Sequence, residues 1–184
     1  MDAQSFKRYL GEQTYDKYYQ DIEIIRLEGY AKSHLSWENI KDLVDWKNKI
    51  VLDVGCFHGY FCFKAEQAGA RLVTGIDKNA DTLITTQMIA DASKSNCKFF
   101  NIDADEIDPH VDIILCLNVF HHIPDKDGFL RKLEPGQKMI MEIDKENLPK
   151  IQKYCNVLKI KPSHRPSAYT GDTPNRLVLL VEKA

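Results

Sequence analysis

The stretch Val51-Leu52-Asp53-Val54-Gly55-Cys56-Phe57-His58-Gly59-Tyr60-Phe61 decides the fold of this chain. A glycine stops an apolar, β-branched run, and a helical pattern begins at the second glycine. We therefore predict a buried strand, a tight turn and the first turn of a helix. Such a turn brings backbone N–H groups and a helix N-terminus up to a ligand, where they favour hydrogen-bond acceptors or negative charge.

A second feature, Gly75-Ile76-Asp77, stands at the end of the next predicted strand, and Asp77 follows Gly55 by 22 residues. An acid at about this distance from a glycine turn is placed to accept hydrogen bonds from ribose hydroxyls. The two features together predict a ligand that contains a nucleoside. The spacing Gly55-x-x-x-Gly59, with Phe57 inside it, fits the pyrophosphate of a dinucleotide poorly, which disfavours an NAD-dependent oxidoreductase.

Strands and helices alternate from residue 49 onward. The predicted helices include one that Asn79 can cap, which runs to about residue 94, and a lysine-rich one at 145–154. The strands are predicted at 49–54, 71–76, 97–101, 111–117, 137–143, 157–161 and 177–181. Buried parallel strands that are separated by helices indicate an α/β, doubly wound, mostly parallel sheet. Only a loop separates the last two strands, so we predict an antiparallel pair there.

Residues 1–45 are predicted to be an N-terminal helical lid or brace, and 46–184 the ligand-binding domain. Within the first part, the aromatic and acidic segment 15–30 and the segment 37–46 are the expected helices. The first part is too short to be an independent domain.

Composition limits the possible functions. Hydrophobic residues make up 43% and charged residues 28% of the chain, which is ordinary for a globular domain. The N-terminus lacks a signal-peptide core and no apolar run is long enough to span a membrane, so we expect a cytoplasmic protein without a membrane partner. A net charge of −2 provides no overall basic field for DNA. The five cysteines match no zinc pattern and are expected to be reduced, and we expect no metal.

The sequence resembles the class I SAM-dependent methyltransferases, where SAM is S-adenosyl-L-methionine, over roughly 50–181. The likeness implies a Rossmann-like sheet with the order 3-2-1-4-5-7-6. It places the first glycine turn at the methionine end of SAM, the acid after strand two on the ribose, an acid after strand three beside the adenine, and the loop after strand four beside the methyl group. The SAM-contacting residues that it implies are Asp53, Gly55, Phe57, Gly59, Asp77, Lys78, Asp103, Ala104 and Asn118.

Two local stretches, VLDVGCxxGYF and AGARxVxGID, are most similar to the branch that includes bacterial enzymes modifying the wobble uridine of tRNA. The acid Asp103 lies in a strongly acidic loop, and simple solvation of that loop is the alternative to contact with adenine. The loop after strand four lacks an Asn/Asp-Pro-Pro-aromatic run, which disfavours a DNA amino-methyltransferase.

His121 and His122 follow strand four and are the candidate catalytic bases, because histidine takes up a proton near pH 7. The alternative is that they serve only in packing and capping. No carboxylate or cysteine joins them in a pattern typical of a metal site.

The loop 161–176 is the candidate acceptor-binding segment, with Arg165, Tyr169 and Arg176 as its substrate-binding residues. Arginine suits bidentate contact with phosphate or carboxylate, and tyrosine can stack on a ring. We therefore predict a SAM-dependent methyltransferase acting on a phosphate-bearing small molecule or an RNA base. A solvated surface hairpin is the alternative for the loop, and a non-catalytic SAM-binding partner subunit is the alternative for the protein.

Overall fold

The computed structural model describes residues 5, 8, 19–107, 109–165 and 175–184. Within these residues, seven strands form one sheet. In chain order they are β1 (Ile50–Val54), β2 (Leu72–Asp77), β3 (Lys98–Asn101), β4 (Ile113–Leu117), β5 (Lys138–Asp144), β6 (Cys155–Pro162) and β7 (Arg176–Lys183).

The strand order is β3-β2-β1-β4-β5-β7-β6, as predicted. The first five strands in this order are parallel, and β7 is antiparallel to both β5 and β6. Parallel neighbours need a crossover connection, and an α-helix supplies it between β1 and β2, β2 and β3, and β4 and β5. Because β6 returns directly into β7, that pair is antiparallel. The predicted fold class is confirmed.

Five α-helices accompany the sheet in the described residues. They are α1 (Ser33–Ile40), α2 (Tyr60–Gln67), α3 (Ala80–Ser93), α4 (Lys126–Arg131) and α5 (Leu148–Gln152). The predicted cap of α3 is present, since the Asn79 side chain accepts a hydrogen bond from the backbone N–H of Thr82 at 3.0 Å. None of these helices is both long and apolar enough to span a bilayer.

Each face of the sheet buries its own apolar cluster. Side chains alternate along a strand, so Val51 belongs to one cluster and Leu52 to the other. Trp37 and Phe61 bring α1 and α2 onto the first face, and Phe129 brings α4 onto the second. Full burial of an apolar side chain of this size stabilises a fold by about 1.5–3 kcal/mol, so both layers hold the sheet rigid beneath its strand ends.

The N-terminal part differs from the prediction. The described residues 19–30 do not form an α-helix but a 3-10 turn (Glu23–Ile25) and an antiparallel bridge between Ile22 and Leu27. The predicted helix 37–46 begins earlier, at Ser33, and ends at Ile40. Trp46 lies beyond it, with its ring centroid 5.2 Å from that of Trp37, so tertiary packing and not helical periodicity explains its apolar character. The role of this part as a lid or brace stays a prediction.

The predicted helix 145–154 is also shorter. It is a 3-10 turn (Lys145–Asn147) followed by the one-turn helix α5, which has Pro149 in its first turn. Proline lacks the backbone N–H that would donate to the preceding turn, so the α-helix begins only at Leu148.

Candidate functional site

A cavity of about 440 Å³ opens at the carboxyl ends of β1, β2 and β4. This is where ligands bind in doubly wound sheets, because the chain reverses its direction of crossover there. Seven of the nine predicted SAM-contacting residues line it: Gly55, Phe57, Asp77, Lys78, Asp103, Ala104 and Asn118. Apolar side chains, among them Ile76, Ile102 and Ile123, supply the rest of a surface suited to a nucleoside.

The glycine turn is tied to the neighbouring strand. The backbone N–H groups of Gly55 and Cys56 both donate to the carbonyl oxygen of Ile76, at 2.8 and 2.9 Å. Gly55 has φ = +70°, and a Cβ atom on it would lie 2.5 Å from Cγ2 of Val119. The turn therefore requires glycine for two reasons, one conformational and one steric.

Phe57 occupies the left-handed region, with φ = +50°. Its N–H donates to Oδ2 of Asp77 at 3.0 Å, and its carbonyl oxygen accepts from Oγ1 of Thr86 at 2.7 Å. The ring lies 5.4 Å from that of Tyr19, centroid to centroid, on the cavity wall. Two hydrogen bonds hold this unfavourable backbone in place, which is typical of strain kept at a functional site.

Asp77 serves the turn as well as the cavity. Its Oδ2 atom accepts from Phe57, and Oδ1 accepts from the backbone N–H of Asn79 at 2.9 Å. A carboxylate has about four lone-pair positions, so these bonds leave acceptor capacity for ribose hydroxyls. The carboxylate is thereby fixed at the mouth of the cavity before a ligand arrives.

Two of the predicted SAM-contacting residues do not line the cavity. Gly59, with φ = +77°, is the N-cap of α2, and a Cβ atom there would lie 3.0 Å from Phe99 and Thr86. Asp53 is 2% exposed and lies under the turn, where Oδ2 accepts a hydrogen bond from the thiol of Cys62 at 3.4 Å. Burial raises the pKa of Asp53 to about 7, so the carboxyl group is protonated in mildly acidic solution.

We expect Asp53→Asn to change how stability depends on pH. Because the pKa of Asp53 is higher in the folded chain than in the unfolded chain, this group favours the fold most below pH 3.8, and its contribution falls until about pH 7. Between pH 5 and pH 7 the wild-type free energy of unfolding should fall by about 2 kcal/mol relative to that of Asp53→Asn. Urea unfolding of both proteins at several pH values measures the difference, and parallel profiles would contradict it.

The loop after β4 connects the cavity to the C-terminal hairpin. Asn118 has φ = +60°, its Nδ2 donates to the hydroxyl of Tyr19, and its Oδ1 accepts from Nη2 of Arg176. Arg176 is 3% exposed, and its Nε lies 3.9 Å from Oδ1 of Asp144. Arg176, which the sequence predicts to bind the methyl acceptor, therefore lies behind Asn118 and supports the cavity wall.

Arg165 lines the cavity but is also deeply buried, at 5% exposure. Its Nε lies 3.2 Å from Oε2 of Glu142 and donates to Oγ of Ser36 at 2.9 Å, and its Nη1 donates to the hydroxyl of Tyr19 at 2.7 Å. Glu142 is 1% exposed and also accepts from the Ser163 hydroxyl. Both arginines that were predicted to bind the methyl acceptor thus lie beside a carboxylate, Arg165 beside Glu142 and Arg176 beside Asp144. The sequence did not indicate these pairs.

The remaining predicted acceptor residue, Tyr169, lies outside the described residues.

The histidine pair lies at the edge of the cavity. His122 lines it, and the ring of His121 lies 3.9 Å from that of His122. Partial burial, followed by the nearby His122 and Arg176, lowers the pKa of His121 below 6.5. The imidazole is therefore neutral at pH 7 and able to accept a proton. Among the described residues, no cluster of histidine, cysteine or acidic side chains is arranged to hold a metal ion.

Three of the lining residues that the sequence did not predict come from the N-terminal segment: Tyr19, Gln20 and Tyr30. Oε1 of Gln20 accepts from the backbone N–H of Tyr60 at 3.2 Å and so satisfies one free donor at the start of α2. No local pattern in the sequence marks these side chains, because tertiary packing brings them to the cavity. Gln20, for example, is 40 residues from Tyr60 in the sequence.

Comparisons with known proteins agree with this geometry. Residues 52–135 match a family model described as a methyltransferase domain. A tRNA U34 carboxymethyltransferase from Nautilia profundicola is 31% identical over 118 residues, which are 60% of this chain and 39% of that protein. A ubiquinone biosynthesis O-methyltransferase from Rhodopseudomonas palustris is 32% identical over 96 residues, 51% of this chain and 38% of that protein. The chain thus spans about two fifths of the length of these relatives.

Solved structures share the fold. A protein from Pyrococcus horikoshii superposes with a TM-score of 0.70 at 17% identity, covering 90% of this chain and 95% of that one. An S-adenosylmethionine-dependent methyltransferase from Mesorhizobium loti superposes with a TM-score of 0.64 at 15% identity, covering 81% of this chain and 98% of that one. The predicted resemblance is confirmed: residues 52–135 match a methyltransferase domain, and the sheet has the fold of an S-adenosylmethionine-dependent methyltransferase of known structure, which supports SAM as the cofactor.

Proposed function

We propose that this protein transfers the methyl group of SAM to an acceptor that reaches the cavity beside the loop after β4. The observation that carries the proposal is the cavity itself, which brings the glycine turn, the fixed carboxylate of Asp77 and the amide of Asn118 around one space. SAM supplies an activated methyl group on its sulfonium. The protein then has to hold and orient the two reactants and accept a proton where the acceptor carries one.

The assignment of SAM contacts follows the cavity wall. Asp77 would accept hydrogen bonds from the ribose, with Lys78 beside it. Asp103 and Ala104, which follow β3 and also line the cavity, would border the adenine. Phe57 and Gly55 would lie along the methionine part. Asp53 and Gly59 would act indirectly, by supporting the turn from below and by starting α2.

The acceptor is proposed to be an RNA base or a small molecule. The names of the two similar proteins support these two choices, since one acts on tRNA and the other in ubiquinone biosynthesis. A phosphate on the acceptor stays a prediction that rests on Arg165 at the cavity wall. The pairing of Arg165 with Glu142 reduces the net charge that it presents there.

The first experiment measures binding by calorimetry with SAM, S-adenosylhomocysteine (SAH) and NAD. We expect Asp77→Ala to weaken SAH binding by about 1–3 kcal/mol, the free energy of leaving polar ligand groups without a partner. Asp91→Ala, which removes an exposed carboxylate from α3, is the matched control and should bind SAH like the wild type. Tighter binding of NAD than of SAH, or unchanged binding by Asp77→Ala, would contradict this assignment.

The second experiment follows transfer from SAM labelled in its methyl group. One arm uses bulk tRNA, and the other uses a set of small phenols and phosphate esters. Formation of SAH together with labelled acceptor supports the enzyme. Tight SAH binding without transfer in either arm would instead favour the non-catalytic SAM-binding subunit. A rise in acceptor KM with salt in the active arm supports an anionic acceptor.

A proton-accepting histidine predicts a specific pH profile. The pKa of His121 lies below 6.5, so kcat/KM should reach its plateau near pH 7 and fall as the pH drops through that lower pKa. Replacing the base should reduce kcat by about 100-fold or more and remove this acidic limb. The measurement is the pH profile of His121→Ala and His122→Ala with the identified acceptor. If both keep the wild-type limb, neither histidine is the base.

A further inference from the structure

A chain of polar side chains runs from Arg176, at the start of β7, to the N-terminal segment along the cavity wall. Arg176 donates to Oδ1 of Asn118, and Nδ2 of Asn118 donates to the hydroxyl of Tyr19. A guanidinium group has only donors, so it fixes which end of the Asn118 amide faces it. The NH₂ group of Asn118 must then point to Tyr19.

The oxygen of Tyr19 receives a second hydrogen bond, from Nη1 of Arg165 at 2.7 Å. Buried Glu142 lies beside this guanidinium and helps hold it in place. The phenol oxygen thus accepts twice, and neither donor has a lone pair with which to accept in return. The hydroxyl hydrogen of Tyr19 therefore needs another partner.

Within residues 19–107, 109–165 and 175–184, no hydrogen bond uses the hydroxyl hydrogen of Tyr19. Tyr19, Asn118 and Arg165 all line the cavity, on the side of the loop that follows β4. A hydroxyl whose oxygen accepts from a guanidinium is also polarised into a stronger donor. The group is prepared to donate to a ligand, and only to donate.

We propose that Tyr19 is a specificity-determining residue whose hydroxyl donates to a carboxylate or carbonyl oxygen of the methyl acceptor. This inference rests on the proposed function, since it takes SAM to occupy the part of the cavity next to Asp77. Ligands that present only donors at this position are rejected, because their donors would face the Tyr19 hydrogen and two further N–H groups. The N-terminal segment, which is remote from the glycine turn in sequence, thereby selects the acceptor.

The experiment uses the full chain saturated with SAH, titrated with benzoate, benzamide and aniline by NMR. Benzoate and benzamide carry the two oxygen types, and aniline presents N–H groups on the same ring. We expect benzoate or benzamide to bind the wild type and Tyr19→Phe to bind it at least ten-fold more weakly, with SAH affinity unchanged. The Tm of Tyr19→Phe should fall, because Asn118 and Arg165 lose the oxygen to which they donate. Tyr154→Phe is the control, because it removes a hydroxyl that bonds Asp127 far from the cavity.

Three results with the probes would overturn the inference. They are no binding of either oxygen probe to the wild type, equal binding by Tyr19→Phe, and binding of aniline as tight as that of benzoate. A large loss of SAH affinity in Tyr19→Phe would also overturn it, since the oxygen would then belong to the cofactor. Failure of the wild type to bind SAH at all is a separate result that contradicts the proposed function itself.

Discussion

Replacing Arg165 with methionine is expected to destabilise the fold by about 3–5 kcal/mol. The substitution leaves Glu142, which is 1% exposed, as a buried carboxylate without its ion-pair partner. The hydrogen bonds from Arg165 to Ser36 and Tyr19 are lost with it. Urea unfolding at pH 7 measures the change, and Arg71→Met on the exposed surface is the control, with an expected effect within about 0.5 kcal/mol.

The double variant Arg165→Met/Glu142→Met separates the lost ion pair from the lost packing. If the unpaired charge causes the destabilisation, the double variant should recover most of the stability, since apolar replacements of buried ion pairs are often neutral. If the double variant loses as much free energy of unfolding as the two single variants added together, the loss comes from the packing and hydrogen bonds of the two side chains and not from the unpaired charge. The same variants test whether Arg165 contributes more to the stability of the fold than to binding of the methyl acceptor.

The second large effect concerns Gly55. Gly55→Ala should cost about 1–2 kcal/mol for a side chain in the left-handed region and about 1–3 kcal/mol for its contact with Val119. Because the turn also lines the cavity, SAH binding should weaken together with stability. Gly136→Ala is the matched control: it has φ = +79°, but no atom lies within 4 Å of the added Cβ, so it carries only the conformational cost.

A compensating substitution tests this division. Val119→Ala removes both Cγ atoms that the new Cβ of Gly55→Ala would meet but keeps the Val119 Cβ, 2.9 Å away, so the double variant should regain part of the steric loss. Its cost should therefore lie between those of Gly55→Ala and Gly136→Ala. If Val119→Ala restores nothing, the backbone conformation alone accounts for the requirement for glycine, and the close approach of the loop after β4 is not a constraint.

The sheet could be predicted from the sequence because its determinants are local. The runs that became β1 and β4 are apolar and bounded by turn residues, and the spacing from Gly55 to Asp77 depends only on the strand–turn–helix–strand unit between them. The same is true of the cavity residues Asp103 and Asn118, which follow strand ends. Parallel strands align their carboxyl ends, so residues that follow them must meet.

Residues 19–46 show where this reasoning fails. Their aromatic and apolar content predicts helices, but Ile22 and Trp46 are apolar because they pack against other elements. At 145–154 the lysine-rich pattern predicts one helix, and Pro149 shortens it. Elements that hold their shape through distant contacts leave no periodic signal.

The sequence by itself determined the alternation of strands and helices and a site for a nucleoside, because both follow from the spacing of residues along a continuous segment. The strand order and the class of cofactor followed from its resemblance to the class I SAM-dependent methyltransferases. Only the tertiary structure decided which charges are free. It paired Arg165 with Glu142, put Arg176 behind Asn118, buried Asp53 and brought Tyr19 to the cavity wall. The physical reason is that pairing and desolvation depend on distances between segments that are far apart in the chain, and the linear pattern of charges does not contain those distances.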